Sequence, residues 1–217
     1  MFRPLLAGIA LTISCALLFG CDSKDPNTTA QNEPAPKADA KTDKDPVVGK
    51  GDIAVIETNL GTIKFQFMED KAPKTVANFE KLAGKKFYDG TAFHRVKPGF
   101  MIQGGDPNTK ESDSSKYGQG GPGYTIDDEF SDVDITRGIV AMANTGQPNS
   151  GGSQFYIVVA PASFLNGKYS VFGKVTEGMD VVDKIVQVKT VGSPTDQVVD
   201  INSARIKSIT ITHASGK

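Results

Sequence analysis

Between Phe93 and Asp106 one short stretch brings together His94, Arg95, Phe100, Met101 and Gln103. Two later stretches add Ala143, Asn144, Gln154 and Tyr156, and then Phe164, Leu165 and Tyr169. Arg95 is the strong fixed donor among them, because a guanidinium stays charged and presents its N–H groups in a rigid planar fork. Nothing nearby supplies a nucleophile. The two cysteines, Cys15 and Cys21, lie far upstream and leave no disulfide or thiolate metal site in the rest of the chain. With only His94 and His213 as histidines, a metal centre would need carboxylates, and Asp127-Asp128-Glu129 reads as a solvated turn. Gly118-Gln119-Gly120-Gly121-Pro122-Gly123 matches G-x-G-x-x-G in letters only, since no apolar strand precedes it, no amphipathic helix follows and Pro122 interrupts it. Ser153, in Gly-Gly-Ser-Gln-Phe, lacks the last glycine of a hydrolase elbow. Taken alone, an arginine such as Arg95 is most often a surface ion-pair residue.

The elements that must position these residues are short. Hydrophobic residues at 38%, charged residues at 23% and 23 glycines describe a globular, turn-rich and β-rich chain. A formal net charge of −1 offers no basic stripe for nucleic acid. Ile53–Ile56 and Ile63, Phe65 and Phe67 alternate as paired strands around a Thr58-Asn59-Leu60-Gly61 turn. Further strands are expected at Met101–Gln103, Ile139–Met142, Phe155–Val159 and around Ile209 and Ile211. Val76, Phe79, Leu82 and Ala83 recur at helical spacing between Pro73 and Gly84, and a second helix is expected over Met179–Val188. Strand geometry puts Met101 with Gln103, and Gln154 with Tyr156, on shared faces, turning Ile102, Phe155 and Ile157 to the core. Lys110–Lys116 reads as a polar loop with no assigned role.

Three blocks carry a family resemblance: Phe93-His94-Arg95-Val96-Lys97-Pro98-Gly99-Phe100-Met101-Ile102-Gln103-Gly104-Gly105-Asp106, Met142-Ala143-Asn144 with Ser153-Gln154-Phe155-Tyr156-Ile157, and Phe164 to Val175. In that order they resemble the signature of the cyclophilin-type peptidyl-prolyl cis/trans isomerases. The resemblance implies a mainly β fold, a closed eight-stranded antiparallel barrel capped by two α-helices. It implies Arg95 as the catalytic residue and a proline-ring pocket of Phe100, Met101, Gln103 and Tyr156, with Leu165 beside it. Ala143, Asn144 and Gln154 would hold the peptide backbone, Phe164 and Tyr169 would form the rim, and His94 would sit next to the arginine. Three positions depart from much of the family: Phe164 stands for a common Trp, Tyr156 for a common Phe and Tyr169 for a common His. The Tyr156 hydroxyl then needs a partner or solvent. Neither a cofactor nor a metal is implied.

The first 46 residues read as an address and a tether. Arg3 and the apolar run Leu5–Phe19 resemble an export signal over residues 1–20, too short for an ordinary membrane span. Leu18-Phe19-Gly20-Cys21 resembles a bacterial lipobox, implying cleavage before Cys21 and lipidation there. From Asp22 to Pro46 there is no Val, Ile, Leu, Met or aromatic residue, so residues 21–46 form an expected flexible linker of roughly 30 Å r.m.s. span. The catalytic domain is expected over residues 47–217, lipid-anchored in the cell envelope and facing the periplasm or the exterior. Asp22 resembles an inner-membrane retention signal. Expected partners are proline-containing peptides and unfolded exported proteins, met by a monomer. The alternatives are a tethered proline-peptide binding module or chaperone with little catalysis and, from another class, a hydrolase using Ser153 and His94.

Overall fold

The computed structural model describes residues 51–213, and the expected signal segment, Cys21 and linker lie outside them. Within this part the apolar alternation folds as read. Ile53–Thr58 (β1) pairs antiparallel with Gly61–Phe67 (β2), and Thr58 sits opposite Gly61 across the tight turn. Arg95–Lys97 (β3), Met101–Gly104 (β4), Ile139–Met142 (β5), Phe155–Val158 (β6), Val171–Glu177 (β7) and Ile206–Thr212 (β8) complete one antiparallel sheet. Its order is β3-β4-β6-β5-β7-β2-β1-β8.

This sheet is an open half-barrel, which corrects the closed barrel implied by the family resemblance. The edge strands β3 and β8 do not pair with each other. Strand β3 is only three residues long, and irregular segments take the edge hydrogen bonds instead. Val96 N–H donates to the Asp196 carbonyl at 2.9 Å and Val198 N–H to the His94 carbonyl at 2.9 Å. Phe93 N–H donates to Ala204 at 2.9 Å, and Ile206 N–H to Thr91 at 2.8 Å. The gap is therefore bridged by loop backbone, leaving no bare edge along these residues.

Two helices follow the sequence reading closely. Pro73–Gly84 (α1) starts on the proline whose missing N–H costs nothing in a first turn. Its N-cap residue, Ala72, provides no capping side chain. Glu129 caps the helix from a distance, accepting from Lys74 N–H at 3.0 Å and Thr75 N–H at 2.8 Å. A cap of this kind is worth about 1 kcal/mol. The Asp127–Glu129 run is thus more than a solvated turn, since Asp127 also pairs with Lys74 at 2.7 Å and Asp128 accepts from Asn149 N–H at 2.7 Å. Met179–Val186 (α2) ends two residues before the expected Val188, with Val182, Ile185 and Val186 buried as the spacing requires.

The strands' period of two divides the interior into two apolar clusters. Ile102, Val140, Met142, Phe155 and Ile157 join Phe65, Phe79 and Phe172 in the main core, where Phe79 packs at 5.5, 5.4 and 5.3 Å from the rings of Phe65, Phe155 and Phe172. Each fully buried phenylalanine contributes about 2–3 kcal/mol. Gly173 lets β7 lie against this cluster, because a Cβ there would stand 2.6 Å from the Phe65 ring. The alternate residues Met101, Ile139, Ala141, Tyr156 and Val158 turn to the other face and pack with Leu165 and Val171 as a second cluster.

Candidate active site

Strand register assembles the site. Arg95 on β3 faces Gln103 on β4, and Gln103 faces Tyr156 on β6, so three motif residues form one cross-strand row. Opposed residues in such a row bring their Cβ atoms within about 5 Å. Met101 lies two residues along β4 from Gln103 and shares its face. Phe100 precedes β4 in a tight turn closed by Phe100 N–H to the Lys97 carbonyl, at 3.0 Å. A 3₁₀ turn over Ser163–Leu165 brings Phe164 and Leu165 in from the far side, and the Phe100 and Phe164 rings lie 5.6 Å apart. Tyr169 meets Tyr156 edge to face at 5.5 Å.

The result is a cavity of about 580 Å³ lined by His94, Arg95, Phe100, Met101, Gln103, Ala143, Asn144, Tyr156, Phe164, Leu165 and Tyr169. Among the described residues that the resemblance assigns to catalysis, pocket, backbone and rim, only Gln154 lies outside it. Gln154 lines an adjoining cavity, and its side-chain Oε1 accepts from Gln103 Nε2 at 2.9 Å.

Arg95 is held at the mouth. Its side chain is 36% exposed, and Nη1 donates to Gln103 Oε1 at 3.4 Å. On its other side the Asp196 carboxylate lies 3.9 Å from Nη2 and 3.2 Å from Lys97 Nζ. His94 is buried, and burial pushes its imidazole down to about 4 against the opposing pull of Asp106, so it is neutral at ordinary pH. The Tyr156 hydroxyl is buried without a hydrogen-bond partner, and burial pushes it well above the usual phenol range. The Asn144 side chain is engaged at both ends, donating to the Lys168 carbonyl at 3.1 Å and accepting from Gly146 N–H at 3.1 Å.

Two segments that the sequence did not assign also wall the cavity. The first is Tyr117-Gly118, reached through the supposed polar loop, which folds as 3₁₀ turns at Pro107–Lys110 and Ser114–Lys116. The glycine run that mimics a nucleotide fingerprint is a backbone acceptor for the site, since Gln154 Nε2 donates to the carbonyls of Gly118 and Gly120 at 3.0 and 2.8 Å. Gly120 must be glycine: a Cβ there would lie 2.1 Å from Asp106 Oδ1. Buried Asp106 in turn accepts from Gly118 N–H and from Asn108 N–H, which explains the acid that ends the first motif block. The second segment is Pro194, Thr195 and Gln197, brought in by backbone pairing with β3. No periodicity marks it, so the sequence held no local signal for it.

The hydrolase alternative is not assembled. Ser153 is buried, and its hydroxyl donates to the Gly105 carbonyl at 2.8 Å. Its proton ties β6 to the end of β4.

The comparisons with known proteins agree with this geometry. The family model described as cyclophilin type peptidyl-prolyl cis-trans isomerase/CLD matches residues 53–210. A peptidyl-prolyl cis-trans isomerase of Synechococcus elongatus is 45% identical over 146 residues, 64% of this chain and 95% of that protein. One from Acinetobacter baylyi is 44% identical over 167 residues, 71% of this chain and 85% of its own. The crystal structure of a Cryptosporidium parvum cyclophilin type peptidyl-prolyl cis-trans isomerase superposes with a TM-score of 0.67 at 32% identity, covering 76% of this chain and 99% of that one. A second structure of that protein, determined in the presence of the dipeptide Ala-Pro, gives 0.65 at 33% identity over 75% and 99% of the two chains. With the motif blocks, the strand order and these matches covering the same residues, the chain belongs to the cyclophilin-type peptidyl-prolyl cis-trans isomerase family.

Proposed function

We propose that this protein isomerises X-Pro bonds of exported proteins, with Arg95 as the catalytic residue and the cavity beside it as the proline pocket. The observation that carries the proposal is the cross-strand row in which Gln103 stands between Arg95 and Tyr156, directly beside the apolar wall of Phe100, Met101 and Leu165. The Ala-Pro dipeptide used with the Cryptosporidium relative supports a ligand of this chemistry.

The reaction asks little covalent work of the protein. Turning an X-Pro bond costs roughly 18–20 kcal/mol because amide resonance is lost, and the twisted proline nitrogen regains its lone pair. A guanidinium that donates to this nitrogen binds the twisted state better than either planar one, which is the condition for acceleration. One such charge-assisted hydrogen bond supplies about 1.5–3 kcal/mol. The remainder falls to positioning. The apolar wall would hold the ring, Gln103 would offer its second Nε2 hydrogen to the carbonyl side while Gln154, whose own Nε2 donates to Gly118 and Gly120, braces it, and a peptide would meet Asn144 through its main chain, because the Asn144 side chain is already engaged.

The Cys21 lipid anchor, the linker to Pro46 and action on unfolded clients in the cell envelope belong to the same proposal. They rest on the residue pattern of the first 46 positions. Exchange NMR on an X-Pro peptide tests the activity: a catalytic amount of the protein is expected to merge the cis and trans signals. Binding with unchanged exchange would favour the binding-module alternative.

A further inference from the structure

Beside the site, a second groove of about 470 Å³ runs between Phe130 and Phe164, with Pro148 and Lys168 at its margins. Phe130 is 51% exposed and Phe164 62%, so two phenylalanine rings meet solvent within a few residues of a ligand cavity. Such paired exposure is unusual for surface phenylalanines with nothing to bind. The groove adjoins the Arg95 cavity, because Asn144, Phe164, Leu165 and Tyr169 line both.

Its walls are fixed from several sides. Asp128 N–H donates to Asn149 Oδ1 at 2.9 Å and its carboxylate accepts from Asn149 N–H at 2.7 Å, tying the Phe130 segment to the loop that carries Pro148. Glu129 N–H donates to Ser170 Oγ at 2.8 Å, while the Glu129 carboxylate caps α1. Lys168 Nζ donates to the Phe164 carbonyl at 3.0 Å. A groove braced in this way can accept a ligand with little ordering of its own.

We infer that this groove takes an apolar side chain of the same peptide whose proline enters the Arg95 cavity, and so selects substrates with a large aliphatic or aromatic residue near the isomerised bond. Shared walls make one extended chain the natural occupant, since each residue advances it only about 3.3 Å. The apolar rings ask for an apolar side chain, and the polar margin at Asp128, Gln147 and Lys168 suits the peptide main chain beside it. Partial burial of one leucine in such a groove is worth about fivefold in affinity.

The inference rests on the isomerase reading of the adjoining cavity, and its test separates the two. A nine-residue peptide with one central proline in an alanine background carries a single Leu walked from three positions before the proline to three after, with Asn as the control at each place. Affinity and exchange are read by NMR with the full chain and with its Phe130→Ala and Phe130→Leu variants. In one or two registers Leu is expected to bind about fivefold more tightly than Asn. Phe130→Ala is expected to abolish that gain and leave exchange of the leucine-free peptide unchanged, and Phe130→Leu to keep most of the gain. A gain absent from every register, or one that survives Phe130→Ala, overturns the groove assignment. Self-association of the wild type that Phe130→Ala abolishes would assign the groove to a second copy and overturn it equally. Failure of the isomerase reading looks different: the leucine-free peptide then shows no accelerated exchange, whatever the binding data give.

Discussion

Arg95 stands between an amide and a carboxylate, and the two neighbours do different things. Gln103 offers a neutral acceptor at 3.4 Å, whereas Asp196, only 6% exposed, brings a negative charge to 3.9 Å and shares it with Lys97. At that distance, with the guanidinium partly in solvent, the carboxylate steers Arg95 more than it binds it. Asp196→Asn is therefore expected to slow exchange about two- to fivefold, less than 1 kcal/mol of barrier, with peptide affinity unchanged. NMR line shapes report both quantities, and an equal loss in affinity and exchange would point to a collapsed wall instead. Tyr156 gives the opposite kind of expectation. Its buried hydroxyl has no partner, and an unsatisfied polar group of this kind costs about 1–3 kcal/mol. Tyr156→Phe is expected to leave thermal stability unchanged or raise it by about 1 kcal/mol, with exchange within about twofold of wild type; a clear loss of stability would reveal a partner such as bound water. At this scale the sequence was informative about which motif residues line one cavity. It was silent on Asp196, Pro194, Thr195 and Gln197, whose place depends on loop backbone crossing to β3.

Strands and helices were legible where one face is apolar and the other is not. The alternation in β4 and β6 predicted which side chains meet the site, and α1 announced itself by Pro73, Gly84 and a 3.6-residue stripe. Strand β3 was hidden because Arg95 and Lys97 flank a single buried Val96. Strand β7 carries no clean strand pattern, since Gly173 interrupts its alternation. Three polar residues of α1, Thr75, Asn78 and Glu80, are buried, and only Glu80 among them is ionisable. Glu80 is buried, and burial, followed by the charges of Asp52 and Glu69 and opposed by His213, pushes its carboxyl up to about 7. The folded state then holds this proton more tightly than the unfolded chain, whose glutamate titrates near 4.5. Stability from this group is fully present below about pH 4.5 and falls as pH rises to about 7, because over that window the native state binds more protons. Glu80→Gln keeps the shape without the titration, so at pH 8 it is expected to be more stable than wild type by about 1–3 kcal/mol, with the gap closing toward pH 5. Thermal unfolding at both pH values checks this, and a gap independent of pH would contradict it.

Across the whole molecule, the resemblance foresaw the family and its two helices but not the open sheet. Closure by loops 90–94 and 196–206 leaves a three-residue edge strand holding Arg95, with irregular backbone supporting it from behind. The proposed lipid anchor would hold this chain at a membrane. Each buried lipid CH₂ contributes about 0.8 kcal/mol, so several acyl chains anchor firmly where one does not. Cys21→Ala is accordingly expected to abolish acylation and leave a precursor held, if at all, only by its signal segment; an unmodified mature wild-type N-terminus by mass spectrometry would remove the anchor. The central claim of the proposed isomerisation concerns one guanidinium. In the proposed mechanism apolar contacts from Phe100, Met101 and Tyr156 would be shared by planar and twisted substrates, and such uniform binding does not speed the step. The most direct measurement is NMR exchange and affinity on a single X-Pro peptide with wild type, Arg95→Ala and Arg95→Lys. Losing a transition-state hydrogen bond of about 1.5–3 kcal/mol predicts that Arg95→Ala exchanges the peptide at least about tenfold more slowly while binding it nearly as well. Arg95→Lys is expected to recover only part of the rate, because a point charge lacks the fork. An Arg95→Ala protein that binds and exchanges the peptide like wild type would contradict the account.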